Sequence, residues 1–181
     1  RNALVRKLPA VETLGCADYI CSDKTGTLTE NKMTLRKIWT ADTLFTFEKA
    51  SSSGGGGFFA GRKKVEPSEF APLEMTLKTG VICNNSRIVR EGNSMTVQGS
   101  PTETAIVNAV LDAGIDALAY DEEFRRIDEI PFDSERKCMS VICSDSKGRY
   151  FVFTKGAPDV IIKKCSRIHG KEGFTTMTPL R

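Results

Sequence analysis

Cys21-Ser22-Asp23-Lys24-Thr25-Gly26-Thr27-Leu28-Thr29, "CSDKTGTLT", places one carboxylate, one ammonium, several hydroxyls and a glycine straight after the apolar-leaning run "ADYIC". The run predicts a buried strand over 18–22 that carries Asp23 at its end, and DKTGT predicts the turn that follows. Asp and Gly are common turn residues for purely geometric reasons, so an isolated D-x-x-G would say little. The absence of a second acid beside Asp23 has to be read with the rest of the chain.

At 181 residues, 40% hydrophobic and 27% charged, the chain can bury a core of one domain, or of one domain and a further piece. Its 26 basic and 23 acidic residues are spread along the sequence rather than gathered in a patch, which argues against a nucleic-acid partner. The densest basic runs, 61–64 and 163–164, read as solvated faces. Six cysteines without a C-x-x-C pair, and the single His169, leave no plausible zinc spacing. Several of those thiols sit in apolar runs, as small hydrophobes in a reducing compartment do. No apolar run reaches the roughly 18 residues of a membrane span, so this piece is expected not to insert in a bilayer.

After the lead-in "LPAVETLGCADYIC", the residues "KMTLRKIWTADTLFTFEKA" alternate as one or two strands do. "SSSGGGG" at 51–57 interrupts them and reads as an exposed, mobile low-complexity loop, natural or inserted. Phe70, Leu73, Leu77 and Val81 recur at helical spacing, predicting a helix over about 69–83 with Ser68 as N-cap. A strand "SMTVQ" follows. Ser100, Pro101, Glu103 and Gly114 then mark the cap, first turn and stop of the clearest helix in the chain. "RRIDEIPF", "KCMSVICS" and "RYFVFTK" read as three strands, the last two joined by "DSKG" as a hairpin, and "APDVIIKKC" opens a short helix at Pro158. The fold class is therefore α+β, mostly antiparallel sheet flanked by helices, with a boundary near residue 33.

Chemically, an aspartate can accept a phosphoryl group, because its carboxylate can attack the γ-phosphorus of ATP and form an acyl phosphate. Lys24, a Mg²⁺ and the N–H groups of the turn would neutralise the transferred charge, and Gly26 would let the backbone come close. Seven residues in a row, "DKTGTLT", resemble the phosphorylation signature of P-type ATPases. "NALVRKLPAVETLG" resembles the segment that precedes it in calcium pumps, and "GSPTETAI", "PFDSERKCMSV" and "FTKGAPD" resemble three signatures of their nucleotide-binding domain. The likeness runs from about residue 2 to 168, in the family's order.

The resemblance implies a cytosolic portion of an ATP-driven cation pump, most similar to the calcium-pump branch of the secretory pathway, the sarcoplasmic reticulum and bacteria. Residues 1–32 would be the start of a haloacid-dehalogenase-like α/β phosphorylation domain, and 33–181 a nucleotide-binding domain. It implies Asp23 as phosphate acceptor assisted by Lys24, with the Asp23 carboxylate and the Thr25 carbonyl on Mg²⁺. It also implies an ATP or ADP site in which Glu103 meets the adenine amino group, Phe132 stacks on the ring, and Lys155, Gly156 and Lys137 lie near the phosphates. From local pattern alone Glu103 reads as the partner of Ser100 in a capping box. The implied partners are the rest of the phosphorylation domain, the actuator domain and the membrane helices, at the cytosolic face of a membrane.

Departures from the family pattern are Ser134, where sarcoplasmic-reticulum pumps carry an arginine, and Asp159 in "KGAPD". Soluble phosphatases of the same fold carry a second aspartate two residues after the nucleophile as general acid and base. Thr25 occupies that position, so such a phosphatase is the weaker alternative, as are pumps for Na⁺/K⁺, H⁺ or Mn²⁺. No Walker-type loop occurs. Family members continue past "MTPLR", so the nucleotide domain is expected to be incomplete at its C-terminus and the chain inactive by itself.

Overall fold

A computed structural model describes residues 8–50, 55–92 and 94–177. The chain divides into two compact units, Arg1–Lys32 and Met33–Arg181.

The first unit holds helix α1 (Leu8–Gly15), where the sequence suggested only a lead-in, and a five-residue turn at Lys24–Leu28. The buried strand expected at 18–22 does not form: Tyr19 and Ile20 are 91% and 84% exposed. A strand needs a neighbour to take up its N–H and C=O groups, and no described residue pairs with this segment. Apolar character made 18–22 eligible for a sheet but supplied no ladder.

The second unit begins with an antiparallel meander, β1 (Lys37–Trp39), β2 (Leu44–Lys49), β3 (Gly56–Ala60) and β4 (Lys63–Val65). Alternation sends Ile38, Phe45, Phe47, Phe58 and Val65 to one buried face. The end of the Ser/Gly run is part of this sheet, correcting the expectation of a loop through residue 57. The physical reason is close approach: a Cβ on Gly56 would lie 2.5 Å from the Phe47 ring, and one on Gly57 would lie 2.7 Å from the Lys64 side chain. Residues 51–54 of that run are outside the described residues.

Helix α2 (Ala71–Ile82) follows a short turn at Pro67–Glu69, so Ser68 is not its cap; Phe70 takes that place without a side-chain bond. Leu73, Leu77 and Val81 are buried along one stripe. A hairpin of β5 (Arg87–Glu91) and β6 (Ser94–Gln98) leads to α3 (Pro101–Asp112) and α4 (Ala117–Glu123). The sequence pattern marks only the second strand of that hairpin and does not mark α4. Asp116 caps α4 by accepting from Leu118 N at 3.0 Å.

Strands β7 (Arg125–Asp133), β8 (Cys138–Ser144) and β9 (Tyr150–Gly156) form the central antiparallel sheet. Met139, Val141, Cys143 and Phe153 project into the same core as the meander and α2. Phe124 closes it, meeting Phe151 and Phe153 edge-on at centroid distances of 5.1 Å each. Helix α5 (Pro158–Lys164) and the hairpin β10 (Arg167–Gly170) to β11 (Gly173–Thr176) complete the unit. Among the described residues no helix is long and apolar enough to cross a membrane.

Candidate functional site

In the first unit the Asp23 turn is closed by Thr29 N donating to the Lys24 carbonyl at 3.1 Å and by Gly26 N donating to Thr29 Oγ1 at 3.3 Å. Gly26 has φ +78°, a left-handed conformation that glycine adopts without steric cost. Asp23 precedes the turn in extended backbone, and its side chain makes no capping hydrogen bond. The ordinary reason for an aspartate at such a place, capping its own turn, therefore does not operate. Asp23, Lys24 and Thr25 are all exposed.

In the second unit one end of the β7–β8–β9 sheet gathers the other candidates. Register pairs Cys138 with Gly156 and Met139 with Lys155 on one side of β8, and Cys138 with Asp133 on the other. Phe132 lies in the irregular stretch of β7 just before Asp133, its ring at the rim and 66% exposed. Lys137 turns the chain into β8 with φ +51°, and its carbonyl accepts Ala157 N at 2.9 Å. Gly156 is required by that packing, since a Cβ there would press on the Lys137 carbonyl and lie 2.5 Å from Cys138 Cβ.

Glu103 reaches this end from the first turn of α3. Its Oε1 accepts from Lys155 Nζ at 2.8 Å and from Asn85 N at 3.1 Å, while Oε2 accepts from the Ser100 hydroxyl at 3.1 Å. Ser100 Oγ in turn accepts from Glu103 N at 3.4 Å, so the helix cap and the ion pair share one carboxylate. Partial burial pushes the Glu103 carboxyl upward, but the Lys155 ammonium, the Asn85 N–H and the Ser100 hydroxyl outweigh it, leaving the group below its ordinary value. The pair is substantially covered, with the Glu103 and Lys155 side chains 17% and 29% exposed. Behind it, burial pushes the Cys83 thiol up, against Lys155 and Arg126.

Sequence reasoning missed the polar residues that surround this pair. Asn84 and Asn85, in the link from α2 to β5, bond to α3 and to Arg126 of β7. The signal available was a polar "NN" directly after an apolar helix end, but its partner lies 41 positions away from Asn85.

The chain belongs to the P-type ATPases: residues 72–179 match the family model described as P-type ATPase, cytoplasmic domain N. Among curated proteins it is 41% identical over 169 residues to the calcium-transporting ATPase of Bacillus subtilis, covering 93% of this chain and 19% of that protein. It is 36% identical over 184 residues to human calcium-transporting ATPase type 2C member 1, covering 98% and 19%. The cation-transporting ATPase pma1 of Synechocystis is 36% identical over 170 residues, covering 91% and 19%. The chain thus spans about a fifth of the length of these relatives, and its mixed fold of antiparallel sheets and a few helices agrees with domain N.

Proposed function

We propose that this chain is the ATP-binding and phosphorylation-site portion of an ATP-driven cation pump, with Ca²⁺ as the cation. The observation that carries the reading is the meeting of Glu103 and Lys155, 52 residues apart in sequence, at the sheet end that also bears Phe132, Lys137 and Gly156. The relatives named calcium-transporting ATPases support the choice of ion. The portion would work at the cytosolic face of a membrane, with the remaining pump domains as partners.

Glu103, kept ionised by Lys155, accepts a hydrogen bond from the adenine amino group. Phe132 offers an open ring face to the base, a contact worth roughly 1–3 kcal/mol. Lys155 and Lys137 supply positive charge toward the phosphates, and Gly156 leaves the backbone bare beside them. ATP and ADP bind alike, because the base is the main handle.

Residues 1–32 act as the start of the phosphorylation domain, and 33–181 as the nucleotide domain. One Asp23 carboxylate oxygen bonds to the γ-phosphorus, the bond to the β,γ-bridging oxygen breaks, and ADP leaves with that electron pair. Lys24 and those N–H groups of the turn that do not close it, unlike Gly26 N and Thr29 N, face the charge that develops. The oxygen donors present, one uncapped carboxylate and the Thr25 carbonyl, suit Mg²⁺, which takes one or two such ligands and completes its shell with water and phosphate. When bound, Mg²⁺ would neutralise phosphate charge. With Thr25 where a phosphatase has its second acid, water is poorly activated and the acyl phosphate persists.

Titrating ATP into ¹⁵N-labelled protein tests the nucleotide site. Saturable amide shifts centred on residues 103, 132, 137, 155 and 156 are expected, and similar shifts with ADP. Shifts that avoid these positions, or none at all, would reject the assignment.

A further inference from the structure

The link between α2 and β5 carries the backbone N–H that meets Glu103, so whatever fixes this link also fixes the direction of the Glu103 carboxylate. The Asn84 side chain ties it inward, donating to the Gly80 and Glu103 carbonyls at 3.0 and 3.2 Å and accepting from Ser86 N at 2.8 Å. From outside, Arg126 of β7 clasps it. Its Nη1 donates to the Asn84 carbonyl at 3.0 Å, and its Nη2 donates to Asn85 Oδ1 at 2.7 Å and pairs with Glu129. Glu129 lies on the same strand, three residues before Phe132. One guanidinium therefore joins the strand bearing the exposed ring to the link that aims the acceptor. A planar fork with five donors can hold both in fixed relation, which a lysine cannot.

We propose that Arg126 is a positioning residue for base recognition, acting through Asn85 on Glu103; this rests on the nucleotide-site reading above. The chemistry is that of one edge and one face. Adenine presents an exocyclic amino donor, and guanine a carbonyl acceptor at the corresponding place. A carboxylate held by Lys155, Asn85 and Ser100 has its one remaining lone-pair site, on Oε2, in a fixed direction, which rewards the donor and repels the acceptor. Loosening the link lets the carboxylate turn, so discrimination between the two bases falls more than the affinity they share.

The test is calorimetric titration of the whole chain with ATP and with GTP, for wild type, Arg126→Met, Arg126→Lys, Glu103→Gln and the double variant Arg126→Met/Glu103→Gln. Arg126→Met should weaken ATP about tenfold and GTP less than about twofold, the loss of a charge-assisted bond. Arg126→Lys should restore part of the preference. In the Glu103→Gln background the effect of Arg126→Met on ATP should shrink below about twofold, because the two act as a unit. Equal losses for ATP and GTP, or full additivity with Glu103→Gln, would overturn the inference in favour of a purely structural strut. Wild-type ATP binding with an unresponsive Arg126→Met, or with an unresponsive Arg126→Lys should the Met variant fail to fold, overturns it alone. A wild-type chain that binds no ATP would overturn the site reading itself and this role with it.

Discussion

Replacing Phe132 with Ala separates binding from folding, because the ring is 66% exposed. A phenylalanine that buries about 150–250 Å² when fully covered loses only about a third of that here, roughly 50–80 Å². At about 25 cal/mol per Å² the truncation costs at most about 1–2 kcal/mol of stability, since extended-chain areas are upper bounds. The stack it would make with adenine is worth roughly 1–3 kcal/mol, which is about five- to 150-fold in Kd. Isothermal titration with ATP at 25 °C, alongside thermal melting, reads both quantities in one preparation. The expected outcome is a Tm lower by only a few degrees with ATP affinity reduced at least fivefold. A variant that binds ATP as tightly as wild type would refute the stacking role, and a collapse of the fold would refute the rim placement of the ring.

Gly156→Ala should be felt by the fold as well as the site, because the new Cβ meets the backbone of Lys137 and Cys138 rather than a movable side-chain tip. Overpacking of this kind costs about 1–3 kcal/mol, so differential scanning calorimetry should record a Tm several degrees lower; an unchanged Tm would contradict the packing described. Glu103 makes stability depend on pH with a definite sign. Its folded value lies below the ordinary 4.5, so its contribution is complete above that pH and is lost as pH falls through the folded value. In urea denaturation between pH 7 and pH 3, the advantage of wild type over Glu103→Gln should close below about pH 4.5; a gap that widens on acidification would reverse the assignment.

Helix α3 was legible because its signals are local: Ser100, Pro101 and Glu103 sit within four positions of one another, and the structure uses the first and last of them as cap and partner. The β8–β9 hairpin was equally local, its turn built by Asp145 Oδ1 accepting from Lys147 N and Arg149 N, both at 2.9 Å. Glu103 shows where local reading stops. Its capping role is visible within three residues, while its ion pair with Lys155 arises only when α3 packs beside the end of β9. The strand expected at 18–22 failed for the complementary reason, that a ladder belongs to two segments and one sequence pattern describes only one. Gly56 and Gly57 were hidden by composition: a low-complexity run says nothing about the Phe47 ring that needs bare backbone beneath it. Arg126 sits in "RRIDEIPF" with no local sign of its role, because the fork spans β7 and the α2–β5 link, 41 and 42 positions away.

The measurement that tests the proposed function most directly is phosphorylation of the longer pump polypeptide in which that proposal places this chain. Brief incubation with γ-labelled ATP and Mg²⁺, followed by an acid quench, should leave an acid-stable label that hydroxylamine removes. Peptide mapping should place it on the segment with the uncapped Asp23 carboxylate. Asp23→Asn should abolish the label, because an amide cannot serve as the carboxylate nucleophile. A hydroxylamine-labile label that survives Asp23→Asn, or maps to another segment, would contradict the account.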